Sequence, residues 1–103
     1  MPLADMLPDR PLQQSEVDAL DDTDRIVGNF PVYLEELSGF AIGIVLVIDA
    51  TAHALSYDVD GNGWALIESR ELAHPVDGGV HPNDMDIIEE LQSTASQYAG
   101  ASA

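Results

Sequence analysis

Three short stretches hold the side chains with which this chain could do chemistry. The first is Asp58-x-Asp60-x-Asn62-Gly63. Oxygen ligands at alternate positions ahead of a glycine match the first half of an EF-hand calcium loop. The match stops there. Ser69 stands where a bidentate glutamate is needed, and Glu68 falls one place early. Aspartate, asparagine and glycine also crowd tight turns, because they tolerate positive φ. A hairpin turn accounts for all four residues. A weak cation site at Asp58, Asp60 and Asn62 is the alternative.

The second stretch is AHPVDGGVHP, residues 73–82, in which His74 and His81 bracket Asp77. Two imidazoles and a carboxylate are a zinc donor set, so these three are the candidate metal ligands. A seven-residue spacing in a glycine-rich loop imposes no geometry on them, and exposed loop histidines are the simpler reading. The third is His53, which alternates with Leu55 and Tyr57 along an apolar strand face. That setting suits a packed or rim histidine better than a catalytic one.

Other chemistries lack their parts. No serine occupies a Gly-x-Ser-x-Gly elbow. A phosphate-cradling loop usually brings a lysine, and the chain has none. Nucleic-acid binding needs a basic footprint, which is missing too. Tyr57 and Trp64 flank one hairpin and could make a ligand platform, although an aromatic cross-strand pair is ordinary sheet packing.

The elements that must position these residues are organised around Phe40–Ile48, FAIGIVLVI. Its β-branched residues fit a pleated sheet, and nine residues fall well short of the roughly 18–20 needed to cross a bilayer. Phe40, Ile42, Ile44, Leu46 and Ile48 point to one face of this central strand, and Ala41, Gly43, Val45 and Val47 to the other. Both faces need cover. Period-two alternation then predicts a strand over 52–59, a turn at Asp60–Gly63, and a return strand from Trp64 to Leu72 with Trp64, Leu66, Glu68 and Arg70 on one side. Upstream, three prolines make residues 1–14 an extended lead-in. Ser15 is placed to cap a short helix over 15–22. Residues 25–37 mix strand formers with Gly28, Asn29 and Pro31, which predicts an irregular segment with an edge strand near 31–36. Past the 73–82 loop, Asn83 or Asp84 caps a helix over 83–99, whose Met85, Ile88, Leu91, Ala95 and Tyr98 share one face.

Composition sets the frame. One domain of 103 residues is expected, with no cysteine and therefore no disulfide or thiolate site. Nineteen acids face three arginines, for a net charge of −16, while a hydrophobic content of 46% argues against a disordered acidic chain. The acids are spread, −7 over residues 1–39, −4 over 40–72 and −5 over 73–103. A nucleic-acid mimic would concentrate them. Aspartate outnumbers glutamate twelve to seven, which fits adaptation to molar salt, where a Debye length of roughly 3 Å screens self-repulsion.

The stretch LPDRPLQQSEVDAL, the later FPVYL, the apolar strand and the tryptophan opening the return strand resemble small acidic haloarchaeal proteins with no assigned function. The resemblance spans residues 7–68. It implies a high-salt cytoplasm and transfers no catalytic motif.

The fold expected is α+β: a three- to four-stranded antiparallel meander, a short N-terminal helix, and a longer C-terminal helix packed on the sheet. A non-enzymatic interaction or assembly module is expected, cytoplasmic, without a cofactor, without direct nucleic-acid or membrane binding. Its partner would be a second copy or another protein, met through Val45, Val47 and Trp64, because one long helix leaves a sheet face uncovered. A small-molecule or metal-binding domain using the 73–82 loop with His53 is the alternative, and an acidic mimic a further one.

Overall fold

The computed structural model describes residues 7, 10–20, 26–33, 40–58, 63–74 and 79–102, the last four of these and Asp58 by backbone alone. The fold is α+β. β1 (Leu12–Gln13) leads into α1 (Gln14–Leu20), followed by β2 (Ile26–Tyr33), β3 (Phe40–Ile48), β4 (Thr51–Asp58) and β5 (Gly63–Glu71). One 3-10 turn, Pro82–Asp84, then opens α2 (Met85–Ser102). Every strand pairing is antiparallel.

The apolar run 40–48 is the central strand, with β2 along one side and β4 along the other. Ala41 pairs with Tyr33 of β2 and with Leu12 of β1, so the two-residue β1 occupies the β4 side, beyond the last β3–β4 pair at Gly43 and Ser56. Asp49, at φ 55°, makes the two-residue turn from Ile48 to Thr51, a backbone state that aspartate tolerates better than most residues. Asp58 pairs with Gly63 to close the β4–β5 hairpin, as the turn residues require. Val59, Asp60, Gly61 and Asn62 lie outside the described residues.

β2 is longer and more regular than its glycine and proline suggest. It survives because it is an edge: Pro31 has no N–H to give, and an edge strand needs none on its outer side. Register shifts at Ile26/Gly28 and Val32/Tyr33 absorb the misfit.

Two helical layers cover the two faces of the sheet. Val45, Val47, Ala52, Ala54 and Leu72 pack under Ile88 and Leu91 of α2, with Phe30, Val80, Met85 and Ile87 at the margin. Ile44, Leu46, Ile48, Leu55, Tyr57 and Trp64 pack under Leu7, Leu12 and Val17, joined by Leu20. The second layer is fastened by polar contacts. The Trp64 indole N–H donates to the Arg10 carbonyl at 3.1 Å, Asn29 Nδ2 to the Val17 carbonyl at 3.2 Å, and the Tyr33 hydroxyl to Gln14 Oε1 at 2.8 Å. The face expected to stay open is therefore covered by Leu7, Leu12, Val17 and Leu20. A helix of seven residues suffices because Leu7 and Leu12, ahead of it, pack beside its own two.

Three local expectations are corrected. Ser15 lies inside α1, which begins at Gln14; the Gln13 N–H is satisfied instead by Glu16 Oε1 at 3.0 Å. A register shift between Ala54 and Leu55 sets Leu66 opposite Leu55 but Glu68 opposite Ala54. One extra residue in β5 thus moves Glu68 and Arg70 to the α2 face, away from Trp64 and Leu66, and Arg70 forms an ion pair with Glu90 of α2. The third concerns the start of α2. Neither Asn83 nor Asp84 caps it; His81 Nδ1 accepts the Asn83 N–H at 3.1 Å, and Asp84 turns inward.

Candidate functional site

The polar side chains that the fold brings together sit where β5 gives way to α2. Asp84 is 1% exposed. Its Oδ2 accepts the His74 backbone N–H at 3.0 Å, and its Oδ1 accepts the His74 ring Nδ1–H at 3.1 Å. Burial alone would push the Asp84 carboxyl up, yet these hydrogen bonds, the His74 charge and the Ala73 backbone outweigh it and hold it below the usual range. A buried carboxylate so placed ties the chain after β5 to the 3-10 turn that opens α2. It also fixes the His74 ring with Nε2 as the remaining ring nitrogen.

His81 stacks on His74 with ring centroids 4.2 Å apart and an interplanar angle of 12°. The loop histidines thus meet, as a zinc site would need, but in the wrong attitude. A metal lies in the plane of each ligating imidazole at about 2.0–2.1 Å from nitrogen. Two nearly parallel stacked rings aim their lone pairs along parallel planes, so one ion cannot satisfy both. His81 Nδ1 is moreover occupied by the Asn83 N–H. Among the described residues no group of three or more histidines and acids could hold a metal ion; Asp77 lies outside them. A buried acid and a capping acid look alike in sequence directly after Pro82-Asn83, so the pattern there points to a helix cap.

His53 stands apart from this cluster, on the other face of the sheet, its Nδ1 sharing a 2.7 Å hydrogen bond with Ser69 Oγ. Desolvation lowers its pKa, which keeps the ring neutral near pH 7. A serine beside a neutral histidine is the start of nucleophile chemistry. Here the pair is a directly opposed cross-strand contact on an open sheet surface, and cross-strand hydrogen bonding explains it fully. Asp58, Asp60 and Asn62 join two strands, where an EF-hand joins two helices; of these three, only the Asp58 backbone is described.

At the N-terminus Arg10 grips Glu16 with both terminal guanidinium nitrogens, Nη1 and Nη2, at 2.6 and 2.8 Å. The Arg10 bond, helped by the Gln13 N–H, holds the Glu16 carboxyl below its ordinary value. This fork secures α1 and offers nothing to a ligand.

The comparison with known families bears on this geometry. Residues 3–97 match a domain of unknown function, DUF7964. The chain belongs to that family. No curated protein and no solved structure matches it.

In this DUF7964 chain the residues expected to meet a partner are internal. Val45 and Val47 are fully buried under α2, and Trp64 is buried against Tyr57 in an edge-to-face contact at 5.9 Å. What remains accessible is the rim. β5 ends the sheet, with β4 as its one strand neighbour among the described residues. Leu66, near its middle, is 51% exposed, the most of the exposed large hydrophobics described. No described helix is long and apolar enough to cross a membrane.

Proposed function

We propose that the chain is a non-enzymatic interaction or assembly module of a high-salt cytoplasm, and that its working surface is the outer edge of β5. The observation that carries this is a strand edge left unpaired among the described residues, beside a half-exposed leucine. Soluble proteins blunt such edges with lysine, proline or bulges because an open row of N–H and C=O groups templates strand addition. β2, at the opposite edge, is blunted by Pro31 and two register shifts. β5 has one bulge, at Ile67, and then four regular residues, Glu68 to Glu71, without proline; three of the four are charged, which discourages indiscriminate pairing and leaves the edge to a partner of matching charge. Main-chain pairing along such an edge supplies affinity, and flanking side chains choose the partner. The charge of −16 is read as solvation for concentrated salt, since the acids are spread over the whole chain.

Photo-crosslinking tests the reading. p-Benzoylphenylalanine at position 66, against position 93 on the exposed side of α2, should give discrete protein adducts in about 2 M KCl, a concentration set by screening. Adducts from both positions alike, or from neither, would overturn it.

A further inference from the structure

We propose that the β5 edge pairs with the β5 edge of a second copy, antiparallel, across a twofold axis at Ser69. This rests on the reading of that edge as the working surface and adds the identity of its occupant.

The register follows from parity and charge. Directly opposed residues in an antiparallel pair lie on the same face, so a twofold axis perpendicular to the sheet must pass through a residue position. Four positions lie within the regular stretch. An axis at Glu68 or at Glu71 sets two glutamates against each other, and an axis at Arg70 sets two arginines against each other. Like charges directly opposed are destabilising. An axis at Ser69 does the reverse. It sets Glu68 opposite Arg70 of the second copy, and the symmetry repeats the pair, so one arginine per chain answers one glutamate twice. Both side chains lie on the same face because they are two residues apart, and the bulge before Glu68 makes that the α2 face.

Arg70 already meets Glu90 through one guanidinium nitrogen, and a guanidinium carries five N–H donors in all. It can bridge Glu90 of its own chain and Glu68 of the other. Ile67 would lie opposite Glu71, and Leu66, on the far side of the bulge, borders the paired stretch. A few residues of strand pairing bury less than a stable interface needs, so the dimer is weak, with a Kd on the order of 10–100 µM. Each copy carries −16; association therefore needs salt to screen the long-range repulsion, while the two ion pairs select the register.

The chain has no cysteine, which makes a direct test available. In an antiparallel pair, opposed Cα atoms lie about 4.5–5.5 Å apart, within disulfide reach. Ser69→Cys should therefore form a disulfide-linked dimer under mild oxidation in about 2 M KCl. Glu71→Cys, whose two copies would be four strand positions apart, should not. Charge exchange checks the register independently. By sedimentation, Glu68→Arg alone and Arg70→Glu alone should each lose at least tenfold in self-association. Mixed in equal amounts, the two variants should recover wild-type affinity within about threefold, because each glutamate again meets an arginine. Circular dichroism checks that each variant folds; should either fail to fold, the cysteine pair decides alone. Equal crosslinking at positions 69 and 71, or mixed variants no tighter than each alone, overturns the proposal. So does a wild-type chain that stays at 11.0 kDa up to millimolar concentration. If that monomer still gives position-66 adducts with another protein, the edge reading stands and only the second copy is refuted.

Discussion

Gly43 is a close approach of α2 to the sheet, and replacing it tests how that face is covered. A Cβ built at Gly43 would sit 3.2 Å from the Ala95 Cβ and 3.3 Å from the Val32 Cβ. Ordinary carbon contacts lie at about 3.5–4.0 Å, so either α2 or β2 must move back by a few tenths of an ångström. Neither neighbour is a flexible chain end. Removing a glycine stiffens the unfolded chain and by itself stabilises by about 0.4–1 kcal/mol. Overpacking a tight core costs about 1–3 kcal/mol, so Gly43→Ala should destabilise by about 1 kcal/mol net. That lowers the melting temperature by roughly 4–8 °C for a domain of this size. Ala95→Gly relieves the contact but loses helix propensity, about 1 kcal/mol, and a buried methyl, about 0.8 kcal/mol. The informative quantity is the coupling. In a double-mutant cycle by chemical denaturation, the pair should be more stable than the sum of the singles predicts by about 0.5–1 kcal/mol. A Gly43→Ala chain more stable than wild type, or strict additivity with Ala95→Gly, would refute the close approach of α2 to β3.

Two further outcomes can be measured on the same melts. With a net charge of −16, dialysis into about 0.01 M salt lengthens the Debye length to roughly 30 Å and should lower the helix and tertiary signals, with recovery in about 2–3 M KCl; one midpoint across both conditions would sink the high-salt assignment. Asp84→Asn should lower the melting point at pH 7. Because the Asp84 carboxyl titrates below its ordinary value when folded, its contribution is complete above the unfolded value and fades as pH falls through the folded one. The Asn variant should therefore converge with wild type in acid, and a constant gap from pH 7 down to pH 2 would count against the buried Asp84–His74 pair.

The elements of this fold follow from side-chain periodicity, which is a local property. FAIGIVLVI carries strand periodicity on two apolar faces, residues 52–72 alternate around a turn-rich tetrad, and Met85, Ile88, Leu91 and Ala95 recur at helical spacing. Those patterns predict the meander, the covering helix and the α+β class, and the structure has them. The 25–37 segment was less legible, because Pro31 and Gly28 are breakers in a central strand and tolerable at an edge, and sequence does not say which strand is the edge.

What only the tertiary structure decided are the relations that depend on one inserted residue or on one side chain's burial. The bulge between Leu66 and Glu68 reverses which face Glu68 and Arg70 occupy, and alternation read along the chain continues straight through it. Asp84 carries the sequence signature of a helix cap and acts as a buried anchor for His74, a difference that lies in which way one carboxylate turns. The coverage of the second face was decided the same way. Val17 and Leu20 look too few to close it, and it is the pairing of Leu12 with Ala41 and the Trp64 bond to Arg10 that bring Leu7 and Leu12 down beside them. Burial is a sum over segments distant in the chain, and no local pattern states that Leu7 and Leu12 lie against Ile44 and Trp64.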